Sequence, residues 1–164
     1  MTMVFVQTMA SFIASCGFGI IFNIKGKKLF FAAIGGGLSW FVYALGLHLS
    51  LSTISSLFIS SICFSVYSEI FARVLKTPVT TLVICCLIPL VPGAGMYYTM
   101  YEAITGNVTG SLELGLNTLA SSGTLVLGII FVSTITRLIN RRKSKKNLLK
   151  NMFYCHGKLK PLFQ

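Results

Sequence analysis

From residue 86 to residue 97 the chain reads Cys-Leu-Ile-Pro-Leu-Val-Pro-Gly-Ala-Gly-Met-Tyr, and these are the residues whose types and spacing point most clearly to chemistry. Proline lacks a backbone N–H, and its ring clashes with the turn before it. Pro89 and Pro92, followed by Gly93 and Gly95, therefore predict a break in any helix that contains them. At membrane depth, backbone groups freed by such a break are tolerated only inside protein or beside a water-filled cavity. A half-helix restarting near Gly93 turns the positive end of its dipole toward an anionic group. The carbonyls freed near Ile88 to Leu90 offer acceptors to an ammonium or another cation. A small zwitterion needs both kinds of partner. A proline kink used only for packing would place the same residues in the same order.

Other polar residues are candidates for a path through such a structure. Ser61, Ser65 and Ser68 follow i, i+4, i+7 spacing and share one helix face, as do Asn117, Ser121 and Thr124. Hydroxyls on such a face either line a polar route or let helices pack closely. Asn23 and Asn117 join Ser65 as the further polar candidates for a substrate path. Glu69 is the one acidic residue inside an apolar run, and Arg73 follows it by one helical turn. The two form a candidate proton site or a local ion pair.

Catalytic chemistry finds no support. No nucleophile, base and acid stand in a credible context, and no phosphate-binding loop is present. The five cysteines, Cys16, Cys63, Cys85, Cys86 and Cys155, show no zinc-like spacing. We expect no metal, no cofactor and no enzymatic activity. A membrane-embedded enzyme is the weakest reading, because no paired acid, base or ligand lies at depth.

The elements that must position these residues follow from composition. Hydrophobic residues make up 54% of the 164 and charged residues only 10%, against about 25% charged in a soluble domain. The uncharged runs are too long for a soluble core of this size, so lipid is the consistent surrounding. A span needs roughly 20 apolar residues. Five stretches qualify, near Val4–Ile24, Leu29–Leu47, Leu51–Phe71, Val79–Tyr101 and Leu114–Ile135. The fourth carries the proline–glycine motif. Gly35-Gly36-Gly37 in the second reads as a close-packing point rather than a hinge.

The net charge of +11 would suit nucleic acid, but its distribution argues against that partner. Nine of the 14 Lys and Arg residues lie from Arg137 to Lys160, and the other five fall in two short gaps, Lys25–Lys28 and Arg73–Lys76. The gap expected from Glu102 to Glu113 has none. With five spans every Lys and Arg falls on one side, which the positive-inside rule makes cytoplasmic. The expectation is an all-α integral membrane protein of five transmembrane helices, the fourth broken at its Pro/Gly motif. Its N-terminus is outside and its C-terminus cytoplasmic. Residues 1–139 form the membrane domain and 140–164 a basic cytoplasmic tail. The tail's charges read first as an ordinary stop-transfer and retention signal, and Leu148, Leu149, Met152 and Phe153 have the spacing that a surface helix on anionic lipid would need.

The stretch Pro89 to Tyr97 resembles the signature of the threonine/serine exporter family (ThrE-like). The likeness is to its small, C-terminal-type module, called YjjB-like when it stands as a separate protein. Gly19-Ile-Ile-Phe-Asn23, Lys28, Gly35-Gly-Gly-Leu-Ser-Trp40 and Glu69 through Thr77-Pro78 are similar to the same module, in order, over about residues 10–135. The resemblance implies export of small amino acids such as threonine and serine, or of related small carboxylates, driven by the proton-motive force. It implies a large ThrE-like membrane subunit as partner, alongside membrane lipid and the small-molecule substrate. It also implies a multi-pass location in the bacterial inner membrane. A homo-oligomer stays open, and a non-transporting assembly subunit is the alternative.

Overall fold

The computed structural model describes the backbone of residues 2–159 and the side chains of residues 3–141. The surface-helix residues of the tail and Cys155 lie outside the described side chains. The chain parts into two compact units, Met1–Val132 and Ser133–Gln164. The candidate site lies within the first.

Six α-helices follow one another: α1 (Thr2–Ile21), α2 (Lys27–His48), α3 (Thr53–Val74), α4 (Val79–Leu87), α5 (Gly93–Ile104) and α6 (Val108–Leu159). A single 3₁₀ turn, Ile88–Leu90, follows α4. No strand occurs among the described residues. Helices α1, α2, α3 and α6 are each long and apolar enough to cross a membrane. Val79–Leu90 and Gly93–Ile104 together make a further candidate span, bent by 53° at its break. The chain is a multi-pass helical membrane protein.

Four of the helices end by one device. In each, the third residue past the end donates its N–H to a carbonyl five residues back, with the residue before it in the left-handed region. The bonds are Ile24 to Gly19, Leu51 to Gly46, Thr77 to Ala72 and Asn107 to Glu102, at 2.9–3.1 Å. The left-handed positions belong to Asn23 (φ 58°), Ser50 (φ 60°), Lys76 (φ 50°) and Gly106 (φ 87°). These tight endings keep the connections short. One expectation is corrected here: Glu102–Glu113 is not a loop. Gly106 ends α5, and Asn107 starts the next helix, its Oδ1 accepting from the Gly110 N–H at 3.2 Å. The turn shrinks to Thr105–Asn107, and α6 begins at Val108.

Helix α2 is the centre of the first unit, packed by α1, α3 and α4. It can be central because its buried positions are small: Ala32, Ala33, Gly35, Gly36, Gly37, Ser39, Ala44 and Gly46. A methyl group at Gly36 would overlap Ser15 of α1, and one at Gly35 would overlap the Cys86 sulfur of α4. At Gly46 it would meet Ser56 Oγ of α3 at 2.6 Å. Lipid tails are as apolar as leucine, so helices in a bilayer associate by close van der Waals contact, which small residues permit. The glycine run is therefore a packing surface, as the sequence suggested.

Candidate functional site

The break in the fourth segment is built by its two prolines. Pro89 has no N–H to give the Cys85 carbonyl, and the helix tightens into the 3₁₀ turn, closed by Val91 N–H to Ile88 O at 3.3 Å. Pro92 then sits at φ −76° and ψ 59°. Across it the Gly93 N–H donates to the Val91 carbonyl at 2.7 Å, an inverse γ-turn. Helix α5 starts at once, its first full-turn bond running from Met96 N–H to Pro92 O at 3.1 Å. The N–H groups of Ala94 and Gly95 precede that bond. They are left as unpaired helix-start donors, because Pro92 supplies no side-chain cap.

One hydroxyl reaches the other side of the break, and a second braces the helix that carries it. Ser39 Oγ of α2 donates toward the Cys86 carbonyl, 2.8 Å away, and shares its one proton with the Gly36 carbonyl, also at 2.8 Å. Ser60 Oγ of α3 donates to the Ser39 carbonyl at 2.6 Å. The interrupted segment is thus tied to α2, and α2 to α3, by buried hydrogen bonds. Below it, Leu90 joins Leu57, Phe64, Cys86 and Leu125 in an apolar cluster against which Trp40 and Tyr43 pack.

Over this break lies a cavity of about 360 Å³, within the lower range of small-molecule sites (roughly 300–1,000 Å³). Its floor is the chain from Pro89 to Gly95, which includes Ala94 and Gly95. Its walls are Trp40 and Tyr43 of α2, Thr53 and Leu57 of α3, and Ser121 of α6. The Trp40 and Tyr43 rings meet edge to face with centroids 5.4 Å apart. Backbone donors, three hydroxyl-bearing side chains and two aromatic rings therefore surround one space. That set suits a small polar ligand with a carboxylate. A larger groove of about 680 Å³, between α1 and the end of α2, is lined by Val4, Phe5, Val6, Phe41, Leu45, Leu49 and a lone His48. Its walls are almost wholly apolar, so it matches an acyl chain better than a charged solute.

A family model described as the threonine/serine exporter, ThrE, matches residues 7–135. The chain belongs to the threonine/serine exporter family. Neither the curated proteins nor the solved structures give a match.

In this ThrE-family chain the four motif residues Pro89, Pro92, Gly93 and Gly95 come together on the cavity. The other candidates do not join them. Asn23 is exposed and ends α1 in the left-handed conformation. Ser65 is buried, and its hydroxyl has no partner. Asn117 is exposed on α6, and its carbonyl accepts from Ser121 Oγ at 2.9 Å. Glu69 and Arg73 form an ion pair at 3.0 Å near the end of α3, with the Arg73 side chain half exposed. Among the described residues no group of three His, Cys, Asp or Glu side chains could hold a metal ion. The sequence reading missed Ser39, Trp40, Tyr43 and Thr53 as members of the site. Trp40 and Tyr43 are three apart and so share a helix face, but nothing in the sequence says that this face meets segment four.

Proposed function

We propose that this chain is the small membrane subunit of a secondary transporter that exports threonine, serine or a related small carboxylate. It works as a transporter and not as an enzyme. The observation that carries the reading is the cavity at the α4–α5 break, lined by Ala94 and Gly95, whose backbone N–H groups have no partner among the described residues, and by the hydroxyl-bearing Tyr43, Thr53 and Ser121. The substrate carboxylate takes the N–H groups at the start of α5, where the helix dipole favours negative charge. The ammonium takes carbonyls of the broken segment and the hydroxyls. An extra carboxylate, in place of the ammonium, would find only those hydroxyls, which favours the amino acid.

The distribution of Lys and Arg supports a five-span topology with the N-terminus outside and the C-terminus in the cytoplasm of a bacterial inner membrane. The α2–α3 turn is then external. Trp40 lies eight residues before the end of α2, which is about 12 Å along the helix axis. The cavity accordingly sits in the outer half of the bilayer. Glu69 and Arg73 lie at the opposite end, and Glu69 is the only acidic side chain within α1, α2 or α3. Coupling to the proton-motive force therefore draws its proton relay from the large ThrE-like subunit.

Gly93→Leu tests the site. Nothing lies within 4 Å of a methyl group placed at Gly93, so the variant folds and inserts. Gly93 lines the cavity, so a larger side chain there is expected to obstruct it. Efflux of labelled threonine is expected to fall to background at unchanged membrane level. Normal efflux from that variant contradicts a site at the break and favours a non-transporting, stabilising role.

A further inference from the structure

Helix α5 and the start of α6 form a hairpin that the rest of the chain leaves uncovered. The two helices meet through small residues. A methyl group at Gly95 would meet Thr118 Oγ1 at 2.5 Å, and one at Gly115 would meet the Thr99 side chain at 3.3 Å, so the pair is antiparallel. Helix α5 makes no extended contact with α1, α2, α3 or α4.

The hairpin also reaches past its neighbours. Helix α6 runs in step with α3: Gly128 meets Ser61, and Ser121, two turns earlier, shares the cavity wall with Thr53 and Leu57. Ser61 is the ninth residue of α3, whereas Gly128 is the 21st of α6. Helix α6 therefore starts about 12 residues, or roughly 18 Å along its own axis, beyond the start of α3. Lipid does not cover that surplus. A hydrocarbon core of about 30 Å takes roughly 32 Å of helix at the usual tilt of about 20°, and roughly 39 Å at 40°. From Val108 to Arg137, the first basic residue of α6, the helix runs 30 residues, or about 45 Å. Yet the overrun is apolar. Tyr97, Met100, Tyr101, Ile104, Leu112 and Leu116 are each more than half exposed. Tyrosines suit a headgroup layer, but Met100, Ile104 and Leu112 do not.

Charge selects what covers this surface. Glu102 accepts from Asn107 Nδ2 at 2.8 Å, whereas Glu113 is exposed and unpaired, the one ion pair among the described residues being Glu69 with Arg73. Every Lys and Arg of the chain lies at Lys25–Lys28, at Arg73–Lys76 or from Arg137 onward, away from the hairpin. A second copy inserted in the same sense would set Glu113 at the level of Glu113 and bring no Lys or Arg to it. Like charges brought together disfavour that pairing.

We propose that the α5–α6 hairpin is a docking arm for a membrane chain of different sequence, which covers its Met, Tyr and Leu surface and brings a Lys or Arg to Glu113. Naming that chain as the large ThrE-like subunit rests on the export reading, whereas the need for a cover does not. The arm begins at Gly93 on the cavity floor, so the same contact steadies the substrate site.

Photo-crosslinking in cells tests the arm. Benzoylphenylalanine is placed at Tyr97, at Leu116 or, as a control at the opposite end of α3, at exposed Val74, in the full chain co-expressed with an epitope-tagged large ThrE-like subunit. Light is expected to join the two chains from Tyr97 and Leu116 and not from Val74. Glu113→Lys is expected to lose the adduct at unchanged membrane level, and Glu113→Asp, which keeps the charge, to retain it. Adducts only between two copies of this chain, no protein adduct from Tyr97 or Leu116, or an adduct undiminished in Glu113→Lys would each overturn the proposal. An adduct without threonine efflux keeps the arm and removes the export reading. Efflux without an adduct does the reverse.

Discussion

The two halves of the helical unit are built on opposite principles. Helix α2 and its neighbours α1, α3 and α4 are closed around glycine, alanine and serine, with Ser15, Ser39, Ser56, Ser60 and Ser61 fully buried. Helix α5 buries no residue at all, and Met96, Tyr97, Tyr98, Met100 and Tyr101 are each more than half exposed. It touches α6 chiefly through small contacts, such as Ser111 Oγ donating to the Thr99 carbonyl at 2.9 Å. The first half is a finished scaffold that this chain makes for itself. The second leaves a broad apolar and aromatic face to lipid or to another subunit. The cavity lies on the seam between them, floored by the break and walled by α2 and α3 of the closed half and by Ser121 of α6.

Substitutions sharpen that contrast. The largest effect is expected from Gly36→Leu, which drives a side chain into Ser15 and toward the Cys85 carbonyl. Overpacking of a backbone-lined contact costs about 3 kcal/mol or more. Full-length protein recovered from membranes should drop sharply, and the thermal midpoint in detergent should fall. Tyr98→Ala on the open half should move that midpoint little, within about 0.5 kcal/mol. A large loss at Tyr98 would show that the open face is packed after all.

Ser39→Ala comes next. It strips the Cys86 carbonyl of its donor and is expected to cost about 1–3 kcal/mol, read as a lower thermal midpoint. It should also reduce threonine efflux beyond the loss of protein, because Ser39 ties the break to α2. A smaller effect than at Ser39 is expected at the rim of the closed half. Asn23→Val puts a β-branched residue at φ 58° and should cost about 1–2 kcal/mol, while Asn23→Gly leaves stability near wild type. If Asn23→Gly instead removed efflux, Asn23 would be a path residue and not merely a helix ending.

Much of this architecture was legible in the sequence. Pro89, Pro92, Gly93 and Gly95 announce the break, because missing N–H groups and absent side chains act locally. Long uncharged runs announce the spans for the same reason. The start of α6 was misread, because Glu102 and Glu113 suggested a solvent loop. Gly106-Asn107 holds the signal that was passed over, a left-handed helix ending followed directly by a capping side chain. The walls of the cavity were legible only at Ser121, as a member of a polar helix face. Trp40, Tyr43, Thr53 and Ser121 come from three helices, and the rotation of each about its axis is set by contacts such as Gly36 with Ser15 and Gly128 with Ser61. No spacing within one helix encodes those contacts.

The central claim is that the α4–α5 break is where substrate sits, open toward the outer face. Ala94→Cys, in a chain otherwise free of cysteine, tests it directly through reaction with a membrane-impermeant thiol reagent added outside intact cells. The account expects labelling that threonine slows and that an amino alcohol without a carboxylate does not. No labelling from outside, or labelling indifferent to threonine in cells that export it, would contradict the account.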